Sequence, residues 1–173
     1  MPYTLKDFCA DLSATLKTKG VSGLPDIANK LSELLKNPAF VGETFPEETP
    51  VGRRELWHDR ETDAYVLAHV QDGGKVGKPH SHGASWAIYG TARGVTEMTE
   101  WRRVNAASED GAVLEKTKHY ALGPGETQAY SSGLIHSTAH PRKTWVIRVT
   151  GTDLDAIPRY HFRQKTDRIL EGV

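Results

Sequence analysis

Several features are scarce in this sequence, and each scarcity excludes a class of protein. The only cysteine is Cys9, so the chain has no internal disulfide framework, which fits a reducing compartment. Lys and Arg (22) equal Asp and Glu (22), so no charge excess indicates a nucleic-acid surface or a polybasic membrane patch. No apolar run approaches the roughly 18 residues of a membrane span, and residues 1–20 lack the pattern of a signal peptide. We therefore expect a cytoplasmic protein that binds neither nucleic acid nor membranes.

Two short amphipathic helices are predicted within the first 37 residues. In the first, apolar side chains from Leu5 to Leu16 recur at three- and four-residue steps, and Gly20 can end the helix. In the second, Pro25 lies in the first turn and Asn37-Pro38 ends the helix. Both apolar faces are narrow, so the helices must pack on another part of the chain. Residues 38–52, rich in Pro, Gly and Glu, are predicted to form a surface loop.

From Arg53 onward the pattern changes to short β-type runs separated by turn clusters such as Gly123-Pro124-Gly125. The clearest runs are Tyr65–Val70, Ser85–Tyr89, Val95–Trp101, Ala112–Leu122 and Thr144–Thr150. Their spacing favours an antiparallel sandwich or barrel. We predict a single domain over residues 1–173. It has a helical extension and loop over 1–50, and a β-barrel with a C-terminal tail over 51–173.

Three of the eight histidines fall into a pattern that is typical of metal ligands. His80 and His82 are two residues apart, and on a strand both rings would face the same side and meet one ion. Taken alone, such a pair is more often a polar strand surface. The glycines around it add information, because Gly74 and Gly94 flank the pair. Downstream, Gly125 and Gly133 lead to His136 with a second regular spacing.

Together these spacings resemble the two sequence motifs of the cupin superfamily, a metal-binding jelly roll (double-stranded β-helix). The resemblance implies that His80, His82 and His136 hold the metal. Cupins usually add an acidic ligand four or five residues after the second histidine, but here those positions are Trp86 and Ala87. The branch that lacks this ligand is the thiol dioxygenases, typified by cysteine dioxygenase. The sequence is similar to that branch, and two helices before the barrel match its layout. Imidazole ligands suit Fe(II), which we expect first, with Zn, Ni or Mn as alternatives.

The resemblance implies one substrate residue, and the alternation along a strand suggests a second. The family's carboxylate-binding arginine lies 26 positions before the first ligand histidine, which corresponds to Arg54 in this chain. An arginine facing into the barrel could hold a substrate carboxylate with two parallel hydrogen bonds, but Arg54 or Arg53 could equally be solvated. Arg148 alternates with Val146 and Thr150, so it could face the cavity as a second catalytic residue. Outward exposure fits that pattern as well.

Three hypotheses for function follow. The first is a mononuclear non-haem iron dioxygenase that oxidises a small thiol, such as cysteine or 3-mercaptopropionate, with O₂ to a sulfinate. The second is another metal-dependent cupin enzyme: a different dioxygenase, a lyase or an isomerase. The third is a non-catalytic small-molecule-binding cupin. The family's serine-histidine-tyrosine array has no tyrosine here between His140 and Tyr160, which favours the second hypothesis. The resemblance further implies a possible homodimer.

The remaining candidate residues are predicted to have supporting roles. His140 is expected beside the metal ligands without binding the ion. Trp86 and Tyr130 are expected in the core or against substrate. Cys9 is expected as a small core residue. The other histidines, His58, His69, His119 and His161, show no ligand spacing and are predicted to be structural or exposed.

Overall fold

The helical part comes first in the computed structural model, which describes residues 2–107, 109, 111–158 and 160–162. Helix α1 spans Leu5–Lys19, and Thr4 caps it reciprocally with Asp7. It ends at Gly20, whose φ of 56° places it in the left-handed region that favours glycine. A 3₁₀ turn over Gly20–Gly23 leads into helix α2, Leu24–Leu35, which has a proline in its first turn. Both predicted helices are confirmed.

A third helix corrects the predicted loop over residues 38–52. Helix α3 spans Pro38–Thr44, and the Asn37 side chain caps it by accepting hydrogen bonds from the backbone N–H groups of Ala39 and Phe40. Asn37-Pro38 therefore ends one helix and begins the next. Phe40 and Val41 are buried, so this segment contributes to the core.

The rest of the described chain is built from short strands. They are β1 (Gly52–His58), β2 (Tyr65–Gln71), β3 (Lys75–Val76), β4 (His80–Ser81), β5 (Ala87–Arg93), β6 (Thr96–Arg103), β7 (Leu114–Leu122), β8 (Thr127–Tyr130), β9 (Ile135–His140), β10 (Thr144–Thr150) and β11 (Tyr160–His161). The predicted tail beyond β11, residues 163–173, lies outside the described residues.

Two antiparallel sheets form the barrel. Sheet I has the order β1-β2-β10-β5-β8, and sheet II has the order β11-β4-β9-β6-β7, with β3 also pairing with β9. Most strands that are neighbours in a sheet are far apart in the sequence, as in a jelly roll. The predicted mainly-β double-stranded β-helix with N-terminal helices is confirmed. In the part of the chain that the structure describes, no helix combines the length and apolarity needed to cross a membrane.

The two faces of sheet I have different partners. One face packs on the helices, where Ile88 and Ile147 join Phe8 and Leu31 in the larger core cluster. Helix α2 approaches closely at Gly90, where an added Cβ would lie 2.5 Å from Leu35 Cδ1. The opposite face points into the barrel, where a smaller apolar cluster is shared by the two sheets: Ala87, Tyr89, Tyr130 and Val146 of sheet I, and Met98 and Leu122 of sheet II. A residue's position along a strand of sheet I therefore decides whether it meets the helices or the barrel interior.

Candidate metal centre and its cavity

The three predicted ligand histidines converge inside the barrel. His80 lies in β4 and is paired directly with His136 in β9, while His82 follows β4 by one residue. The ring centroids are 4.6 Å apart for His80 and His136, 4.9 Å for His82 and His136, and 5.2 Å for His80 and His82. One nitrogen from each ring lies within 4.8 Å of the other two. These three side chains could hold a single metal ion.

Hydrogen bonds fix the orientation of two of the rings. Nδ1 of His80 lies 3.0 Å from the Lys78 carbonyl oxygen, and Nδ1 of His136 lies 3.3 Å from the Leu134 carbonyl oxygen. Because a carbonyl oxygen can only accept, each Nδ1 carries the proton and donates it. In the neutral imidazole this leaves a lone pair on Nε2, the form that binds a metal.

The chemistry of His136 fits a metal ligand particularly well. Its Nε2 is buried and has no hydrogen-bond partner among the described residues. Burial, and next the neighbouring His80, lower the pKa of His136 to about 4, so its ring is neutral near pH 7. An unpaired, buried lone pair of this kind is costly unless a ligand satisfies it. A metal ion would do so.

Two of the motif glycines lie in turns at the ends of barrel strands, one of them shortly before ligand strand β9. Gly133 precedes β9 with a φ of 77°, a conformation that other residues adopt at a cost. Gly94, between β5 and β6, has a φ of 83°, and a Cβ there would lie 2.7 Å from Thr144 Oγ1. The motif glycines are thus required by backbone geometry rather than by the metal.

Carboxylates are absent from the histidine cluster among the described residues. The position of the usual acidic ligand is filled by Trp86 and Ala87, both buried in apolar clusters. Glu100 lies opposite His136 on β6, but its carboxylate accepts a hydrogen bond from Tyr120 at 2.9 Å and lies 3.3 Å from Lys118 Nζ. The cluster offers three imidazoles.

Two tyrosines contact the cluster. The Tyr89 hydroxyl lies 3.4 Å from Nε2 of His82, and the Tyr130 ring stacks on His136. Tyr130 was expected in the core or near substrate, and it is buried at this site. The role of Tyr89 was not predicted. Its alternation with Ala87 and Thr91 along β5 was the available signal, but only the register of the sheet shows which face is inside.

An open cavity of about 390 Å³ lies beside the cluster. Its lining residues are His69, Gln71, Gly77, Lys78, His80, Tyr89, Thr138, His140, Val146, Arg148 and His161. None of these is acidic. His140 is buried next to the cluster but is not part of it, as expected. His69 and His161, predicted to be structural or exposed, also line this cavity. His161 is exposed and His69 is buried, and the lack of ligand spacing along the chain gave no sign that they lie at this cavity.

Arg148 faces this cavity, whereas Arg54 does not. Arg148 stands opposite Tyr89 on β5 and Leu67 on β2, on the inner face of sheet I. Arg54 stands opposite Ala68, whose neighbours across the sheet face the helices. Its guanidinium donates a 2.6 Å hydrogen bond to the Thr44 carbonyl oxygen.

The predicted role of Arg54 as a carboxylate clamp is corrected by this placement. Arg54 lines a separate surface pocket between α3 and β1 that contains none of the cluster histidines. The neighbouring residue Arg53 lies on the inner face of the sheet, opposite His69. Its guanidinium, however, forms an ion pair with Asp155 at 2.6 Å. Moving by one residue along a strand places the side chain on the other face of the sheet. The number of residues between Arg54 and His80 in the sequence does not show which face Arg54 occupies.

Positive charge around the cavity contributes to a lowered pKa of His69. This residue is 7% exposed, and burial, followed by the charges of Arg148 and Arg53 and by His140, lowers its pKa to about 3. Its ring is therefore neutral, and its Nε2 has no hydrogen-bond partner among the described residues. Of the charged groups, Arg148 lowers this pKa the most.

Comparison with known proteins finds similarity only among solved structures. No protein-family model matches the chain, and no curated protein matches it. KdgF from Halomonas sp. is 17% identical with a TM-score of 0.45, over 65% of this chain and 91% of that one. A cupin-2 domain protein from Shewanella frigidimarina is 11% identical with a TM-score of 0.46, over 62% and 88%. The DMSP lyase DddQ from Ruegeria pomeroyi is 13% identical with a TM-score of 0.47, over 67% and 53%. At such identities and TM-scores no activity transfers to this chain.

Proposed function

We propose that this protein is a mononuclear metal-dependent cupin enzyme that uses O₂ to oxidise a small thiol to a sulfinate. The observation that carries the proposal is the convergence of His80, His82 and His136, together with the buried Nε2 of His136, which has no partner within the described part of the chain. Two of the rings are held by backbone carbonyls in the tautomer that a metal requires.

The donor set favours iron(II), and Zn, Ni or Mn are compatible with the same imidazoles. When bound, iron(II) would supply the redox chemistry of R–SH + O₂ → R–SO₂H, in which both oxygen atoms enter the product. The protein supplies three ligands and an adjoining cavity that admits a small molecule. The absence of a carboxylate from the cluster, among the described residues, supports this reaction because it leaves more of the ion accessible.

Tyr89 supports a second candidate function, a metal-dependent elimination or isomerisation. Its hydroxyl lines the cavity and lies 3.4 Å from His82 Nε2. A phenol at that distance from the ligands could donate or accept a proton on a substrate bound beside the ion. Such a reaction would consume no O₂, so the two candidates are separated by one measurement.

The test begins with protein purified without a metal-binding tag, followed by elemental analysis. Iron-loaded protein is then given cysteine, 3-mercaptopropionate or cysteamine in an oxygen electrode, with sulfinate measured by NMR. We expect about one ion per chain and one O₂ consumed per sulfinate formed with at least one thiol. Bound metal without oxygen uptake would reject the dioxygenase and leave the second candidate. A chain that binds no metal at any loading would reject both.

A further inference from the structure

We propose that Arg148 and His69 form an anion-binding subsite in the cavity, which takes the carboxylate of a small substrate. The inference rests on the proposed function only in assigning that carboxylate to the substrate of the metal centre. The subsite itself is defined by residues that are not metal ligands, so it can be tested without metal.

The register of sheet I brings the two residues together. His69 in β2 stands opposite Val146 in β10, and Arg148 is two residues beyond Val146 on the same face. Diagonal neighbours of this kind lie within reach of long side chains. Both side chains line the same cavity.

Arg148 is also connected to the histidine cluster. It stands directly opposite Tyr89, whose hydroxyl contacts His82. A small molecule held by Arg148 would therefore lie beside the cluster rather than at a distant part of the barrel.

Two nitrogen atoms at the subsite lack partners in the part of the chain that the structure describes. Nε of Arg148 and Nε2 of His69 are both buried, and neither forms a hydrogen bond there. Buried polar atoms are nearly always paired, which points to a molecule that enters the cavity as their partner. Water could satisfy His69, but it would leave the guanidinium charge without a counterion.

An anion satisfies both groups, with Nε2 of His69 carrying the proton of the neutral ring and donating it. A guanidinium group offers the planar fork of N–H donors that matches a carboxylate. Among the described residues, none of those that line the cavity is acidic, and Lys78 adds a second positive charge to the lining. Asp155, the acidic partner of Arg53, is already paired at 2.6 Å. A cavity of about 390 Å³ limits the ligand to a small molecule.

The test uses the full-length, metal-free protein with propionate as the probe and propionamide as its uncharged counterpart. Binding is measured by calorimetry, and the Nε–H resonance of Arg148 is followed by ¹⁵N NMR. We expect propionate to bind and to shift that resonance, and propionamide to do neither. Arg148→Met should weaken propionate binding at least about tenfold, the loss expected for a charge-assisted pair. Arg148→Lys should restore part of the affinity because it keeps the charge without the fork.

Arg54→Met is the matched control, because Arg54 lies on the opposite face of the sheet. It should bind propionate as the wild type does. Equal affinity in wild type and Arg148→Met, or no shift of the Arg148 resonance with propionate, would overturn the subsite and leave the metal proposal standing. Anion binding that depends on Arg148 in a chain that binds no metal would support the subsite and reject the proposed function. If Arg148→Met does not fold, the wild-type resonance and Arg148→Lys decide the question.

Discussion

The phenol ring of Tyr130 lies nearly parallel to the imidazole of His136, with centroids 5.0 Å apart and an angle of 21° between the planes. The Tyr130 hydroxyl lies 2.7 Å from that of Tyr120, which in turn donates to Glu100 at 2.9 Å. Burial raises the pKa of Tyr130, so its phenol remains protonated. The proposed ligand is thus oriented on one side by a ring that is itself held by a hydrogen-bonded chain.

Replacing Tyr130 should therefore separate the effect of the ring from that of the hydroxyl. Tyr130→Leu removes the stacked ring, and we expect metal affinity to fall about 10- to 100-fold, as for other residues that orient ligands. Tyr130→Phe keeps the ring and loses only the bond to Tyr120, so its loss should be smaller. Competition with a chromophoric chelator measures both. Equal affinity in Tyr130→Leu and wild type would show that the stack does not orient His136.

Removing one ligand should abolish most metal binding. In His136→Ala only two imidazoles remain, which make a poor site, and we expect less than about a tenth of the wild-type metal content by elemental analysis. His119→Ala is the control, because His119 is exposed on β7 and bonds Thr99. X-ray absorption of the loaded wild type should give nitrogen scatterers at about 2.0–2.2 Å. Full metal content in His136→Ala would reject the three-histidine site.

Metal-free protein should lose stability as the pH falls below about 6.5. The pKa of His69 is lowered to about 3 in the folded state, while the unfolded chain keeps the ordinary value of 6.5. Below pH 6.5 the unfolded state therefore binds a proton that the folded state does not, and unfolding becomes easier. Between pH 7 and pH 5 this one group should lower the free energy of unfolding by about 2 kcal/mol.

Urea unfolding of the wild type and of His69→Gln at both pH values isolates the contribution of His69. Glutamine has no titrating group, so the variant should lose about 2 kcal/mol less than the wild type over the same range. An identical pH dependence in the two proteins would mean that His69 does not stay neutral in the folded barrel.

Close contact between α2 and sheet I gives a stability prediction. At Gly90 an added Cβ would lie 2.5 Å from Leu35 Cδ1 and 3.0 Å from Leu31 Cδ2. Gly90→Ala should destabilise the protein by about 1–3 kcal/mol because these packed side chains must shift. Gly42→Ala is the control, since Gly42 lies in α3 with nothing within 4 Å of the added Cβ, and it should be neutral or slightly stabilising. Thermal unfolding of both variants is the measurement, and an equal melting temperature for Gly90→Ala and wild type would contradict the contact.

Local patterns in the sequence predicted much of the fold. The periodic helices and the strand Thr144–Thr150 agree with α1, α2 and β10, because hydrophobic spacing and turn residues are local signals. Helix α3 was missed because its Pro- and Gly-containing composition is typical of a loop, whereas burial of Phe40 and Val41 stabilises it. Burial against distant residues is not visible in local composition.

The candidate site was also predicted only in part from local sequence patterns. The convergence of the three histidines follows from motif spacing, and the geometry agrees. The positions of His69 and Tyr89 in the cavity depend instead on how β2, β10 and β5 are aligned. Arg54 was chosen by counting positions, which cannot tell the inner from the outer face of a strand. Residues that the sheet register brings together require the tertiary structure.

The position of β10 has a consequence for how this protein is made. Although its residues come late in the sequence, β10 lies in the middle of sheet I and pairs with both β2 and β5. While a ribosome is still translating residues before Thr144, the emerging chain carries two strands with open edges and no bridge between them. We expect the barrel to close only after residues 144–150 leave the exit tunnel. Until then the nascent chain is prone to aggregation, even though His80, His82, His136 and both long helices have already been synthesised.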